Sequence, residues 1–134
     1  VIALGGGEQP SAATLDALWQ TTQRRQDPTG RELADTALLA LGALGSSLPR
    51  DAHYTNLVDG LRAIAYGGAD AGERSCALAA IANTGDAALA PDVQPLLDAA
   101  EPAVRRAAAK AYGTLAPAAA ATEFGPRLRS ERAS

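Results

Sequence analysis

One stretch of this chain occurs twice, forty residues apart, and this self-similarity constrains the fold more than any other feature. Residues 37–45 (ALLALGALG) match residues 77–85 (ALAAIANTG). A second match, at an offset of 31, aligns residues 74–77 (RSCA) with residues 105–108 (RRAA). A turn and a second amphipathic stretch follow each match. Two helices in each such unit are typical of an α-solenoid, in which neighbouring units cover each other's apolar stripes.

The amino-acid composition favours helices throughout. Alanine supplies 33 of the 134 residues and leucine 17, whereas aromatic residues make up 4%. Alanine and leucine are strong helix formers, and the β-branched and aromatic residues that favour sheets are scarce. The length is that of one domain. We therefore expect an all-α fold with a single domain over residues 1–129 and a disordered tail at 130–134.

Apolar residues recur with helical spacing in seven segments, which turn residues separate. Leu33 and Leu39 widen the stripe of the second segment, so we expect that helix to be buried on more than one face. Gly45 is predicted to end it as the C′ residue. Pro95 lies inside the fifth segment and should kink it or delay its regular start. The predicted helices span residues 11–26, 28–44 (or from Arg31), 53–66, 71–83, 87–99, 102–115 and 117–128, the last broken by Gly125 and Pro126.

Two of these segments carry a family resemblance. Residues 101–113 (EPAVRRAAAKAYG) and 72–81 (GERSCALAAI) resemble the first helix of a HEAT-like or armadillo-type repeat. The resemblance covers about residues 31–115 and implies a right-handed α–α superhelix of about three helical pairs. The loop at 46–52 and Pro95 depart from the repeat pattern, which leaves the stacking angle open.

A narrower resemblance is to the helical superhelix of vitellogenin-type lipid-transfer proteins. It rests on residues 34–42 (ADTALLALG), 57–61 and 77–85. In that family the superhelix wraps β-sheets that hold lipid, and this sequence predicts no such sheets. The resemblance implies an alternative function, the helical wall of a carrier for lipid or other hydrophobic cargo.

Charge and cysteine content exclude several classes of partner. The formal net charge is −3, so no strong positive field would attract nucleic acid. A single cysteine, Cys76, excludes an internal disulfide and a multi-cysteine zinc site. No apolar run approaches the ~20 residues of a membrane span. We expect no cofactor, and the compartment stays open. The absent initial methionine suggests a piece of a longer protein, and the arginine and alanine content suggests a GC-rich bacterial genome.

The residues that might carry chemistry each have a simpler interpretation. Gly5-Gly6-Gly7 lacks the strand and lysine of a phosphate loop, so a flexible connector is expected. His53, with Asp51 and a serine at 46 or 47, offers the residue types of a nucleophilic triad. Nothing marks either serine as activated, so we expect a surface histidine. Cys76 is predicted to be a buried, inert thiol, with Arg74, its one neighbouring cation, facing solvent.

The remaining charged and aromatic residues also favour a structural interpretation. The carboxylates of Asp86, Asp92, Asp98 and Glu101 lack convergent spacing and predict a solvated face. The arginine pairs at 24–25 and 105–106, with Arg127, Arg129 and Arg132, are expected to be surface charges. Trp19 and Tyr66 belong to the types enriched in binding hot spots. Trp19 also fits the stripe of Leu15 and Leu18, so packing is the favoured role for it.

The solenoid interpretation predicts a function and a surface. We expect a non-enzymatic scaffold that binds a protein or peptide on the concave face formed by the second helix of each pair. Such a polar, slightly acidic face favours a basic or polar partner. The third possibility, beside the lipid carrier, is a HEAT-like accessory to a cofactor-handling enzyme, for which only Cys76 and His53 are available. The predicted partner-binding residues are Asp16, Gln20, Gln23, Asn56, Asp59, Arg62, Asp92, Gln94 and Asp98.

The core assignment makes a direct prediction. Leu41→Ala and Ile81→Ala should each lower the free energy of unfolding by ~2–5 kcal/mol, because each removes a large apolar side chain from an inward stripe. Urea denaturation followed by circular dichroism measures this loss. A loss under ~1 kcal/mol at both positions would contradict the core assignment.

Overall fold

The computed structural model describes residues 12–122, in which the chain is helical and contains no strand. This confirms the all-α prediction. Two 3-10 turns, Ala87–Leu89 and Gln94–Asp98, flank the short helix α5. The helices are α1 (Ala12–Thr22), α2 (Pro28–Gly45), α3 (Ala52–Gly67), α4 (Ala71–Asn83), α5 (Ala90–Val93), α6 (Pro102–Leu115) and α7, of which residues 117–122 are described.

Aspartate side chains fix where three of the helices begin. Asp27, Asp51 and Asp70 precede α2, α3 and α4, and each carboxylate accepts a hydrogen bond from a backbone amide of the first turn. The cap of α2 is the shortest, at 2.6 Å from the Gly30 amide. Each cap satisfies a donor that the helix itself cannot use, and each places a negative charge at the positive end of the helix dipole. Pro28, predicted for a first turn, occupies that position in α2.

Helix α4 is the centre of the packing. It contacts α2 on one side, α6 on the other, and α3 as well, while α1 packs on α2. The apolar residues of these elements form one continuous core. The largest side chains that are almost wholly buried are Leu38, Leu41, Leu57, Leu61, Leu78, Val93 and Val104.

The backbones of α2 and α4 touch directly at Gly42. A Cβ atom on Gly42 would lie 2.0 Å from the carbonyl oxygen of Ala80 and 2.7 Å from its Cα. Real Cβ atoms do not approach other atoms so closely, and a backbone carbonyl cannot rotate away as a side chain can. Gly42 is therefore required for the spacing of these two helices.

Two side-chain hydrogen bonds cross the same interface. The Cys76 thiol donates to the Asp35 carbonyl oxygen at 3.3 Å, and the Asn83 amide donates to the Leu39 carbonyl oxygen at 3.3 Å. Later residues of α2 thus meet later residues of α4. The two helices run parallel, with a register close to the forty-residue offset of the sequence.

Two predictions about α2 are wrong. Leu33 and Leu39 remain 55% and 38% exposed, so they do not widen the buried side of the helix, although α2 packs against α1, α3 and α4. Gly45 is the last residue of α2 rather than its C′ residue. It is buried, and a Cβ atom built on it would lie 3.3 Å from side-chain carbons of Leu57 and Thr84. Within residues 12–122, the glycine with positive φ is Gly85, at 68°. Gly45 and Gly85, which the forty-residue offset aligns, therefore differ in role: Gly45 is buried inside a helix, and Gly85 forms a turn with positive φ.

The fifth predicted helix is broken as Pro95 requires. Residues 87–98 form a 3-10 turn, the four-residue α5 and a second 3-10 turn. Pro91 lies in the first turn of α5, and Pro95 lies at the start of the second 3-10 turn. Val93, Leu96 and Leu97 are nevertheless buried.

The ends of the chain bear on several further predictions. Helix α1 ends at Thr22 instead of residue 26, and the Thr22 hydroxyl donates to the Trp19 carbonyl oxygen at 2.6 Å. Several predictions concern residues outside the described range. They are the glycine connector at 5–7, the helix break at 125–126, the surface arginines at 127, 129 and 132, the domain end at 129 and the tail at 130–134.

We predict that Gly42→Ala lowers the free energy of unfolding by about 2 kcal/mol or more, because the new methyl group meets the α4 backbone. The ordinary gain in helix propensity, ~1 kcal/mol, acts in the opposite direction. Gly67→Ala is the matched control, since nothing lies within 4 Å of a Cβ there. Urea titration of both variants measures the difference. If Gly42→Ala is as stable as Gly67→Ala, the close contact is not needed.

Candidate functional site

Trp19 lies across the groove between α1 and α3, which we call the Trp19 groove. Its indole occupies space above Gly60, where a Cβ atom would be 2.5 Å from Trp19 Cη2. The side chain is half-buried and packs on the core, in line with the packing role predicted for it. It also lines two hollows in this groove.

The smaller hollow measures about 190 Å³ and brings two predicted partner-binding residues together. Asp16 on α1 and Asn56 on α3 both line it, beside Trp19 and His53. All three polar residues are exposed. This end of the groove therefore offers a carboxylate, an amide and an imidazole to one small group.

The larger hollow measures about 470 Å³ and contains a buried arginine. Arg25 Nη2 lies 2.9 Å from Asp35 Oδ1, and Arg25 Nε lies 2.6 Å from Glu73 Oε2. Its side chain is only 15% exposed. The third nitrogen, Nη1, is buried and has no hydrogen-bond partner among residues 12–122. The prediction of a solvated surface charge is wrong for Arg25, because it joins the loop after α1 to α2 and α4.

Three other predicted partner-binding residues are paired with one another. Arg62 on α3 lies 3.2 Å from Asp59 on the same helix and 3.2 Å from Asp92 on α5. The Tyr66 hydroxyl donates to the Asp92 carbonyl oxygen. Burial, together with the Asp92 carboxylate, raises the pKa of Tyr66. These groups fasten α3 to α5, so a partner would have to compete with internal ion pairs to use them.

Three further predicted partner-binding residues lie apart from the groove, and a fourth, Gln23, belongs to it. Gln20, Gln94 and Asp98 are exposed, and none of them lines either hollow. Gln23 lines the larger hollow. The predicted surface is thus divided into the groove residues, the Arg62 ion pairs and a separate group of exposed side chains.

A second polar network joins the start of α3 to the turn after α4. The Tyr54 hydroxyl donates to Asp86 Oδ2 at 2.5 Å, and the Arg50 guanidinium lies 4.1 Å from the centre of the Tyr54 ring. Burial and the carboxylate raise the pKa of Tyr54 to about 12. The hydrogen bond from Tyr54 lowers the pKa of Asp86. Asp86 also caps the next turn through the Ala88 amide, so its role is structural.

Two more predictions about charged residues are wrong. Arg74 does not face solvent: its side chain is 20% exposed, forms an ion pair with Glu101 and donates to the Ala65 carbonyl oxygen at 3.2 Å. Asp86, Asp92 and Glu101 are not simply a solvated face, because each is held by a tyrosine or an arginine of another element. The cause is that turns bring these acids against cations far away in sequence.

The residues considered for nucleophilic chemistry do not form a catalytic arrangement, since Asp51, Ser46 and Ser47 bind backbone groups and the His53 side chain is exposed. Asp51 accepts from the His53 amide at 3.0 Å, and the hydroxyls of Ser46 and Ser47 donate to carbonyl oxygens of α2. Burial, reinforced by Asp35, raises the pKa of Cys76 to about 11. Cys76 is half-buried rather than buried, and its inertness stays a prediction.

The described residues show neither a metal site nor a membrane helix. Between residues 12 and 122, histidine, cysteine and carboxylate side chains do not gather in threes around a point that could hold a metal ion. In the same range, each helix is too short or too polar to cross a membrane. Comparison with protein-family models, curated proteins and solved structures found no match to the chain. Functional assignment therefore depends on the geometry alone.

We predict that Cys76 reacts slowly with thiol reagents. A rise in pKa from 9.0 to about 11 reduces the thiolate fraction at neutral pH by about a hundredfold. Labelling with iodoacetamide measures this directly, because the chain has one cysteine. Labelling of the urea-unfolded protein is the control. Equal rates in the folded and unfolded protein would contradict the burial of the thiol.

Proposed function

We propose that the chain is a HEAT-like solenoid segment that binds an extended peptide in the Trp19 groove. The order of helix contacts supports the solenoid, since α4 lies between α2 and α6 and runs parallel to α2. In such a stack α1, α3 and the α5 segment are the second helices of successive pairs. The Trp19 groove then lies on the inner face, where solenoids bind their partners.

The observation that carries the proposal is the unpaired Arg25 Nη1 beside a half-buried tryptophan. A buried N–H without a partner is unfavourable, and a ligand oxygen would remove that penalty. Backbone carbonyls of a peptide are suitable acceptors. Tryptophan supplies a large apolar surface at a low entropic cost, which explains its frequency at the centre of interfaces.

The smaller hollow, at the other end of the Trp19 groove, would select a side chain of the bound peptide. Asp16 and Asn56 in the smaller hollow offer acceptors to a lysine or arginine of the peptide. The distance along α1 from Asp16 in the smaller hollow to Thr22 in the larger one is roughly 9 Å at 1.5 Å per residue, which corresponds to about three residues of extended chain. The preferred ligand is therefore a peptide with a basic residue that enters the Asp16 hollow and a carbonyl group about three residues away that reaches Arg25.

The two alternative functions have less support. A lipid-carrying wall needs a continuous exposed apolar surface on the inner face. Within residues 12–122, the exposed large apolar side chains are Leu33 and Leu39 on α2 and Tyr66 on α3. An enzyme accessory would need a reactive group in a cleft. Cys76 lines neither hollow of the groove, and His53 lines the smaller hollow without a serine, threonine or cysteine beside it.

Trp19 provides the test, because it is the single tryptophan of the chain and lines both hollows. We propose to titrate the protein with short synthetic peptides centred on lysine or arginine, and with matched peptides centred on glutamate, while recording tryptophan emission. The basic peptides should change the emission saturably, and the acidic peptides should not. If no basic peptide changes it, the proposed function is wrong.

Two variants that change the net charge by the same amount show whether the peptide binds in the Trp19 groove. Asp16→Lys should weaken the basic peptides roughly three- to tenfold, since an attractive charge at the hollow becomes repulsive. Glu32→Lys, at an exposed position of α2, should leave their affinity unchanged. Equal effects of the two variants would mean that overall charge, and not the groove, determines binding.

A further inference from the structure

A hollow of about 400 Å³ lies between α2, α4 and α6, and we call it the Lys110 hollow. Its volume falls within the range of small-molecule sites, about 300–1,000 Å³. Leu39 and four alanines supply most of its wall, and no carboxylate of residues 12–122 lines it. Leu39 is 38% exposed, so an apolar group seated in the hollow would remove it from water.

Lys110 gives this apolar hollow a positive charge. It is the single lysine of the chain, and its side chain is exposed. No carboxylate of residues 12–122 forms an ion pair with it, whereas Arg25, Arg62 and Arg74 are all paired. Arg106, one turn earlier on α6, is also exposed and has no acidic partner in the same range. The rim of the hollow is therefore complementary to an anion.

A second hydrogen-bond donor lines the hollow beside Lys110. The Asn83 amide donates one N–H to the Leu39 carbonyl oxygen at 3.3 Å, which holds this side chain between α4 and α2. A side-chain amide has two N–H groups, so the other is available to a ligand. The Thr114 hydroxyl donates to the Lys110 carbonyl oxygen at 3.0 Å and is already used. An ammonium and an amide N–H suit the two oxygens of one carboxylate.

We infer that the Lys110 hollow binds a small monocarboxylic acid with an apolar body. The apolar body lies on Leu39 and the alanines, and the carboxylate accepts hydrogen bonds from Lys110 and Asn83. A hollow bounded by three helices fits a free molecule better than a flat membrane surface. The inference goes beyond peptide binding and does not rest on it, because the Lys110 hollow shares no lining residue with the Trp19 groove.

Lysine labelled with carbon-13 gives a direct test, because a chain with one lysine shows one ε-methylene signal by NMR. Octanoate should shift this signal saturably, and octylammonium, with the same chain and the opposite charge, should not. Octanoate should bind roughly tenfold more tightly than hexanoate, since each buried methylene contributes about three- to fourfold. Tryptophan emission should stay constant, because Trp19 lies in the other groove.

Several results of this titration would overturn the inference. They are the absence of a saturable shift with octanoate, an equal shift with octylammonium, and a change in tryptophan emission without a lysine shift, which would place the acid in the Trp19 groove. A shift that only phosphatidylglycerol vesicles produce would mean a membrane contact. A shift that only a glutamate-rich amphipathic peptide produces would mean a protein contact. Either would replace the small acid as the occupant.

Calorimetric titration of variants separates the charge from the apolar wall. Lys110→Met keeps an apolar stem and should weaken octanoate binding roughly three- to fivefold, with the binding of octanol unchanged. Arg24→Met removes the same charge at an exposed position that lines none of the three hollows, and it should change neither affinity. Equal effects of these two variants on octanoate would mean that net charge alone acts, which contradicts the inference.

A second pair of variants tests the wall. Ala107→Leu places a larger side chain in the hollow and should abolish saturable octanoate binding. Ala63→Leu, at an exposed position of α3, is the control that should bind as the wild type does. Circular dichroism checks that both variants stay helical. Unchanged octanoate binding by a helical Ala107→Leu protein would show that the acid does not occupy the Lys110 hollow.

Discussion

The direct contact between the backbones of α2 and α4 at Gly42 and Ala80 sets the geometry of the whole molecule. It fixes the distance at which two parallel helices run, and α4 then carries α3 on one side and α6 on another. In a chain so rich in alanine, side chains contribute little volume to the interior. Close approach of the α2 and α4 backbones therefore adds to the packing of the buried leucines and valines in excluding water.

Three partly buried arginines add polar links between elements that the apolar core also holds together. Arg25 links the loop after α1 to α2 and α4, Arg62 links α3 to α5, and Arg74 links α4 to the start of α6. Each guanidinium serves two acceptors on different parts of the chain. Two of them, Arg25 and Arg62, keep a buried N–H without a hydrogen-bond partner among residues 12–122. Arg25 also lines the Trp19 groove, where a structural ion pair becomes part of a candidate binding site.

The helices were predictable from the sequence because apolar periodicity, prolines and aspartate caps are local signals. The all-α class and the broken segment around Pro95 followed from them. The site was predicted only in part. Asp16 and Asn56 meet in one hollow as members of one expected face, but Arg25 and Arg74 were assigned to solvent. Their partners lie on other helices, and no spacing in a sequence reveals which turn brings an acid to a distant cation. Gly45 shows the same limit of sequence-based prediction. It aligns with Gly85 in the repeat, but contacts with distant residues, and not this alignment, make it a buried helical residue instead of a C′ residue.

The segment at 87–98 has a consequence for how the molecule assembles. Its two prolines lack amide hydrogens, and its turns are too short to persist as isolated helices. Its shape depends on Val93, Leu96 and Leu97 in the core and on the Tyr66 hydroxyl at the Asp92 carbonyl. The conformation of this stretch is therefore imposed by its contacts with α3 and α6 and would not persist if those contacts were removed.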